Sequence, residues 1–213
     1  MNSNEFAAVP PSPLQQAGLQ GDPFHSNSIE LKEITSATIL RLHSLTSAET
    51  LAAALETQGL TLPLQTNQST GSDPAALCLR PREWLLFSEH SEAEHLASQI
   101  RPAIDPDQTT LLNTSDGLAT FRLSGPGAPW LLSKLSGLDF LGGSSGAGAV
   151  QHCARTRMAH AAVLVHYHRP GDGDLPFVFD LLFDRSLAKY LWELLSESAE
   201  HADDLANAFE GSS

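Results

Sequence analysis

The sequence contains little cysteine and few aromatic residues, and its charge is strongly one-sided. Among 213 residues there are 2 cysteines, 7% aromatic residues and 12 Lys and Arg against 25 Asp and Glu, which gives a net charge of −13. A chain of this length buries enough surface to fold without covalent cross-links. Its negative charge repels nucleic acid and anionic lipid, so we expect a protein or a small molecule as partner.

Long hydrophobic runs are also missing. No stretch of about 18 consecutive apolar residues occurs, so no membrane span is predicted. The first residues do not combine a basic segment with an apolar run, so no signal peptide is predicted either. We therefore expect a cytoplasmic protein.

The two cysteines give no sign of metal or redox chemistry. Cys78 and Cys153 lie in short apolar stretches, and no CxxC pair occurs. A thiol in such a stretch usually behaves as a small buried hydrophobic side chain. We expect both cysteines to be buried and free.

The motifs of common catalytic and cofactor sites are absent as well. Glycines at 125 and 127 and in the run 142–148 do not fit the G-x-G-x-x-G spacing of dinucleotide sites. A Gly-Lys-Ser/Thr element, a G-x-S-x-G elbow and an HExxH motif do not occur. We predict that the chain contains no catalytic residue, no cofactor-binding residue and no metal ligand.

Two pairs of polar residues are candidates for a site of this kind. His166 and His168 share one face of a predicted strand, but no third ligand stands at an obvious spacing, so ordinary strand-end histidines are favoured. Arg155 and Arg157 also share a strand face, where they can bind a carboxylate or phosphate. Ion pairing at the surface or at an interface is favoured for these arginines.

Composition divides the chain into three parts. Residues 1–28, with four prolines and scattered apolar residues, are expected to form an extended arm, either ordered across a partner or disordered. Residues 29–199 are expected to form the folded body, with a subdivision near 103–112. Residues 200–213 are expected to form an acidic tail, either solvated or bound to a basic groove.

Periodicity predicts both strands and helices within the body. The predicted helices begin at two capping boxes, Thr46 with Glu49 and Ser91 with Glu94, and at Asp184. A further helix is expected after the turn at 124–127, and a mobile loop at the glycine-rich residues 141–149. Strands are predicted in alternating or apolar stretches at 29–42, 75–79, 84–87 and 118–123, and as a hairpin of 158–167 with 176–183.

Several of these segments together resemble a known family. They are 78–86 (Cys-Leu-Arg-Pro-Arg-Glu-Trp-Leu-Leu), 113–116 (Asn-Thr-Ser-Asp), 121–128 (Phe-Arg-Leu-Ser-Gly-Pro-Gly-Ala) and 185–195 with Tyr190 and Trp192. In their order and spacing, from about Ile29 to Leu195, they resemble the gamma subunit of heterotetrameric sarcosine oxidase.

The resemblance implies an α+β fold of antiparallel and mixed sheets flanked by helices, like the folate-binding domain of glycine-cleavage aminomethyltransferase. It implies an accessory, non-catalytic role beside alpha, beta and delta subunits. The assembled enzyme serves sarcosine catabolism and one-carbon metabolism by oxidising the N-methyl group of sarcosine. FAD, FMN, NAD and tetrahydrofolate are implied on the other subunits, and none on this chain.

Departures from the family pattern leave the substrate open. Asn113 stands where an aspartate is expected, and Arg80 and Arg82 stand where the family element reads more like Gly-Pro-Asp-Glu-Trp. An oxidase or dehydrogenase for another N-methylated amino acid could carry the same kind of gamma chain. The alternatives are a stand-alone folate-binding protein of the aminomethyltransferase type and a scaffold or chaperone protein.

Overall fold

The computed structural model describes residues 11–19, 21–138, 152–168 and 177–210, with the backbone alone for 202–210. Within these ranges the chain forms 11 strands and five α-helices. The strands are β1 (Phe24–His25), β2 (Glu30–Glu33), β3 (Thr38–Ser44), β4 (Ser69–Thr70), β5 (Ala75–Arg80), β6 (Glu83–Ser88), β7 (Thr109–Asn113), β8 (Leu118–Ser124), β9 (Cys153–Met158), β10 (Ala161–His168) and β11 (Val178–Asp184). The helices are α1 (Pro13–Gln16), α2 (Ala48–Glu56), α3 (Ala93–Ile100), α4 (Ala128–Leu135) and α5 (Ala188–Glu210). None of the described helices is long and apolar enough to cross a membrane.

The strands form two sheets. The first sheet has six strands in the order β1-β2-β8-β11-β10-β9, and the second has five in the order β4-β5-β6-β3-β7. All strand pairings in the described ranges are antiparallel. Together with the flanking helices, they confirm the predicted α+β class.

One face of the first sheet packs against α1, α4 and α5. Leu14, Leu131 and Leu191 contribute one buried side chain from each of these helices. They pack with Phe121 and Phe183 from the sheet, whose rings meet edge to face at 4.8 Å between centroids. This helix-on-sheet layer is the largest apolar cluster of the described residues.

The second sheet carries α2 and α3 on its outer face. Leu55 and Ile100 from these helices are buried together with Leu42 and Trp84 from the sheet. The Trp84 indole N–H donates to the carbonyl of Pro63 at 2.7 Å, so the buried ring also holds the loop that follows α2.

A third apolar layer lies between the two sheets. Ile39, Leu77 and Phe87 of the second sheet pack there with Leu164 and Leu182 of the first sheet. The molecule is therefore built as helices, sheet, sheet and helices, with apolar side chains at each of the three contacts.

The predicted strands and the predicted hairpin are confirmed. Residues 75–79, 84–87 and 118–123 lie within β5, β6 and β8, and β10 pairs with β11 in antiparallel register. Met158 was assigned to the hairpin but ends β9, a separate strand that precedes the turn at 159–160. The expected loop at 141–149 and the residues 169–176 that connect the two strands of the hairpin lie outside the described residues.

The extended stretch predicted at 29–42 is divided between the two sheets. β2 pairs with β8 in the first sheet, whereas β3 lies between β6 and β7 in the second. The chain thus passes from one sheet to the other between Glu33 and Thr38. Alternation predicts extended backbone but does not show which strand becomes the neighbour, so it cannot predict that the chain passes from one sheet to the other.

The capping box predicted for α2 is wrong by one residue. The N-cap is Ser47, whose hydroxyl accepts from the amide of Thr50 at 3.1 Å. Thr46 instead shares a hydrogen bond of 2.8 Å with the hydroxyl of Ser44 at the end of β3. Thr46 therefore bonds to the end of β3 and does not cap the helix.

The capping box predicted for α3 is also wrong. α3 begins after Glu92, which makes no side-chain capping bond. Ser91 lies outside the helix, in the turn after β6, where its amide donates to the hydroxyl of Ser88 at 2.9 Å. Asp184 does act as a cap, because its carboxylate accepts from the amide of Ser186 at 2.9 Å, but it caps the short 3-10 helix Arg185–Leu187 that leads into α5.

Regular structure also occurs on both sides of the predicted body, as α1 and β1 before it and the end of α5 after it. Leu14 of α1 is fully buried, and Glu33 of β2 accepts from the Ser12 hydroxyl at 2.6 Å and the Leu14 amide at 3.1 Å. Residues 11–19 of the expected arm thus pack on the chain's own first sheet. At the other end, α5 continues to Glu210 through most of the expected tail, where alanine, leucine and glutamate favour helix.

Candidate functional site

A buried ion pair joins two neighbouring strands at the centre of the first sheet. Arg122 of β8 and Asp180 of β11 stand opposite each other in register. Arg122 Nε donates to Asp180 Oδ1 at 2.7 Å, and its Nη2 donates to Oδ2 at 2.8 Å. Burial alone raises the pKa of Asp180, but hydrogen bonds from His168 and Arg122 outweigh it and hold this pKa below its usual value.

The same arginine also reaches the second sheet. Phe121 and Leu123 point toward the helices, so alternation turns Arg122 toward the other sheet. There its Nη2 donates to Glu89, which directly follows β6, at 2.5 Å. Burial by itself lowers the pKa of Arg122. Hydrogen bonds to Asp180 and Glu89 and their negative charges outweigh burial and raise this pKa above its usual value, so the guanidinium stays charged.

Two histidines of β10 complete this cluster. His168 Nε2 lies 2.5 Å from Asp180 Oδ2, and the rings of His166 and His168 are 4.4 Å apart between centroids. His166 is only 4% exposed, and its Nδ1 has no hydrogen-bond partner among the described residues. Burial, with the nearby His168, lowers the pKa of His166 to about 3, so this ring is neutral at physiological pH.

His166, His168 and Asp180 present donor atoms within 4.8 Å of one another, as a metal site does. The charges favour a different interpretation. Both oxygens of Asp180 already accept hydrogen bonds from the Arg122 guanidinium. A cation bound there would be repelled by this neighbouring positive charge. We therefore interpret the group as an ion-pair network, and the absence of metal ligands stays a prediction.

A second cluster of charges lies where the two sheets meet. Glu83 of β6 is fully buried, and Arg41 of β3 donates to its Oε1 from Nε at 3.0 Å and from Nη2 at 2.6 Å. Arg80 of β5 donates from Nε to Oε2, and Arg155 Nη2 of β9 lies 3.6 Å from Oε1. We call Arg41, Arg80 and Arg155 the arginine cluster.

The buried carboxylate at the centre of the arginine cluster is ionised. Burial by itself raises the pKa of Glu83, but hydrogen bonds from Arg80 and Arg41, supported by their charges, hold it below its usual value. In the described part of the chain, Glu83 is the only carboxylate within ion-pair distance of these three arginines.

An apolar cleft of about 290 Å³ begins beside the arginine cluster. It opens between the two sheets, and Arg155 forms part of its rim. Its apolar walls include Leu85 of β6, Leu118 of β8, Leu164 of β10 and Leu182 of β11. The cleft thus combines an apolar floor with two charged lining residues, the cation Arg155 and the anion Asp184.

The arginine, histidine and cysteine pairs singled out in the sequence have different surroundings. Arg155 makes an ion pair, as favoured, whereas Arg157 donates to the carbonyl of His160 at 3.3 Å. His166 and His168 are adjacent, as expected, but one is buried and the other binds Asp180. The two cysteines are buried and free, as expected, and burial raises the pKa of Cys153 to about 12.

Sequence reasoning missed the partners of these residues. Asp180 lies on β11, which pairs with the strand of His166 and His168, and Glu83 lies on β6, close to Arg155 of β9. Spacing along one segment does not reveal contacts between strands. One signal was present, because Asp180 is the single charge within the apolar run 177–183. An isolated charge in a buried strand indicates a partner on a neighbouring strand.

The buried ion pairs of both clusters are suited to holding strands together rather than to moving protons. Arg122 stays charged, and Asp180 and Glu83 stay ionised. Groups whose pKa values lie this far from neutral pH exchange protons poorly as acids or bases.

No family model matches the chain. Among curated proteins it is 29% identical to the sarcosine oxidase subunit gamma of Corynebacterium sp. (strain P-1), in an alignment that covers 63% of the chain and 65% of that relative. It is 26% identical to the sarcosine oxidase subunit gamma of Arthrobacter sp., over 93% of the chain and 95% of that relative. The chain resembles sarcosine oxidase gamma subunits. The resemblance found in the sequence is thereby confirmed.

Solved structures show the same fold. A chain of heterotetrameric sarcosine oxidase from Corynebacterium sp. U-96, in complex with pyrrole 2-carboxylate, superposes with a TM-score of 0.73 at 22% identity. That match covers 92% of this gamma-like chain and 97% of the other. Glycine cleavage system aminomethyltransferase T from Bartonella henselae gives a TM-score of 0.54 at 15% identity, over 79% of this chain and 45% of that one. The predicted likeness to the aminomethyltransferase fold is confirmed.

Proposed function

We propose that the chain is an accessory, non-catalytic gamma-type subunit of a heterotetrameric sarcosine oxidase-like enzyme. The observation that carries the proposal is the Arthrobacter alignment, which extends over 93% of this chain and 95% of a gamma subunit. The fold match to a chain of a solved heterotetrameric sarcosine oxidase supports it over a similar length.

The described side chains support a non-catalytic role. The buried carboxylate of each charge cluster is held in ion pairs, and the pKa values of both carboxylates lie below the usual range. Neither of these two carboxylates is therefore suited to act as a general base near neutral pH. FAD, FMN, NAD and tetrahydrofolate would be held by the alpha, beta and delta-type subunits, and the complex would oxidise sarcosine or a related N-methyl amino acid.

Within such a complex the chain would support a large subunit. A neighbour that is already folded lowers the entropic cost of holding a cofactor-binding domain in one arrangement. The four-layered body, with its two sheets crosslinked by Arg122, is a rigid neighbour of this kind. A stand-alone aminomethyltransferase-like function has less support, because that match covers 45% of the enzyme at 15% identity.

The test is capture of the complex from the native source. The affinity-tagged full chain should retain flavin-bearing large subunits, identified by mass spectrometry and by a flavin absorption spectrum. The captured complex should oxidise sarcosine or a related N-methyl amino acid. The purified chain alone should not oxidise such an amine, and it should bind no flavin or NAD in calorimetry. Turnover of such an amine by the purified chain alone would refute the proposal.

A further inference from the structure

The arginine cluster concentrates positive charge on an acidic protein. The chain as a whole has a net charge of −13, yet three guanidinium groups here share the single carboxylate of Glu83. Glu83 can neutralise one of these charges, so the other two have no carboxylate of their own within ion-pair distance among the described residues. A local field of this sign attracts carboxylates and steers them toward the surface where the arginines lie.

The positive charge of the cluster is accessible. The side chains of Arg41, Arg80 and Arg155 are 44%, 61% and 55% exposed, whereas that of Glu83 is 0% exposed. Each guanidinium has five N–H donors, and Glu83 takes at most two from any of them. The remaining donors are available to an incoming acceptor.

Two of the arginines, Arg41 and Arg80, are also held in place by hydrogen bonds before any partner arrives. Arg80 and Glu83 are register partners at the β5–β6 turn, and Arg41 approaches the same carboxylate from β3. A long side chain that is fixed in this way loses less conformational entropy on binding. Planar guanidinium groups fixed at a surface are among the side chains that contribute most to protein–protein binding energy.

The apolar cleft beside the cluster indicates what kind of partner fits. Arg155 belongs to both features, and Leu85, Leu118, Leu164 and Leu182 line the cleft beyond it. An apolar floor next to a charged rim is the usual composition of a protein interface. Nucleic acid would meet strong repulsion from the rest of an acidic chain.

We propose that the arginine cluster and the adjoining cleft dock an acidic segment of a large subunit, with Asp or Glu carboxylates on the arginines and apolar side chains in the cleft. This inference rests on the proposed function, since it assumes that the chain has large-subunit partners. It adds the surface that binds them and the chemistry of the segment that is bound.

The first experiment reverses the charge. The tagged full chain carrying Arg80→Glu and Arg155→Glu should capture the identified flavin-bearing subunits at least ~10-fold less than the unaltered chain. Arg101→Glu is the matched control, because Arg101 is 58% exposed and pairs with Glu94 on α3. It should capture normally. Circular dichroism and thermal unfolding of each variant show that it is folded, and Arg155→Gln alone provides a milder version.

The second experiment tests whether the docked groups are carboxylates. Arg155→Lys places a primary amine in the cluster, and a zero-length carbodiimide joins amines to carboxylates in contact with them. A crosslink from position 155 to Asp or Glu of a large subunit, found by mass spectrometry, is expected. Arg101→Lys should give none.

The outcomes separate the two proposals. If the unaltered chain captures no flavin-bearing subunit, the proposed function fails and this inference fails with it. If the unaltered chain captures the subunits but the folded double variant captures them equally well, this inference alone is wrong. The same holds if the complex forms but position 155 gives no crosslink to a carboxylate.

Discussion

Arg122 and Asp180 face each other across β8 and β11 and are joined by two hydrogen bonds between guanidinium and carboxylate. The pair is the buried centre of a group that extends to Glu89 beside the second sheet and to His168 on β10. Arg122 therefore links β8 to β11 and to the end of β6, and Asp180 extends the group to β10.

We predict that Arg122→Met strongly destabilises the chain. It leaves Asp180 fully buried with His168 as its remaining partner, and breaking a buried pair in this way costs about 3–5 kcal/mol of unfolding free energy. Replacing both partners, as Arg122→Met with Asp180→Leu, should cost less than the single change. Urea unfolding monitored by circular dichroism measures both.

The control for this prediction is Arg101→Met. Arg101 and Glu94 form an ion pair that is exposed on both sides, and such pairs contribute little. We expect no measurable change in the urea midpoint. A loss in Arg122→Met no larger than that of the control would show that the buried network does not stabilise the fold.

His166 should make the fold sensitive to mild acid. Its folded pKa is lowered to about 3 from the ordinary value of 6.5, so the unfolded chain takes up a proton that the folded chain does not. The stabilisation from neutral His166 is complete above pH 6.5 and falls as pH drops toward 3, by at most about 1.4 kcal/mol per pH unit.

The measurement is the unfolding free energy at several pH values from 7 to 5, above the range in which carboxylates titrate. His166→Phe keeps a ring beside His168 but cannot take up a proton, so its stability should vary less with pH over this range. Equal pH dependence in the two proteins would contradict the burial of a neutral imidazole.

The thiols should be unreactive while the chain is folded. Cys78 and Cys153 are each 1% exposed, and burial raises the pKa of both thiols, that of Cys153 to about 12. Thiol reagents attack the thiolate, so reaction at neutral pH should be far slower than for a free cysteine. A colorimetric thiol assay should find both thiols after denaturation in urea, and rapid reaction of either in the native protein would contradict this.

Gly125 should not tolerate a side chain. Its φ is +114°, and a Cβ there would collide with the carbonyl oxygen of Ser28 just before β2. Gly125→Ala should cost roughly 1–3 kcal/mol or more, because backbone strain and the displacement of Ser28 add. Gly137→Ala is the control, since nothing lies within 4 Å of its Cβ position, and thermal unfolding of the two variants should differ clearly.

Local features of the fold were predictable, while contacts between strands were not. The alternation in 118–123 and the i, i+3, i+4 pattern after Asp184 predicted β8 and α5, because each pattern reflects which side of one element is buried. The Arg122–Asp180 pair and the approach of Arg155 to Glu83 depend on which strands become neighbours. Periodicity within a strand contains no information about that choice.

Caps were harder to predict than elements, because hydroxyl groups have competing partners. Thr46 and Ser91 both have the right spacing for a capping box, yet Thr46 bonds to Ser44 and Ser91 lies in a turn held by Ser88. The end of the preceding strand thus decides the partner. The extent of α5 was underestimated for another reason, since its charges were weighed more heavily than its helix-forming alanines and leucines.

The order of the strands gives the second sheet the character of an insertion. All of its strands come from residues 38–113, and the strands on either side of that segment, β2 and β8, are hydrogen-bonded neighbours in the first sheet. The amide of Ile34 donates to the carbonyl of Thr120 at 2.9 Å, so the two ends of the inserted segment leave the first sheet side by side. A tight reverse turn would bridge that gap after excision, but Leu118, Leu164 and Leu182 would then lose their covering layer and face water.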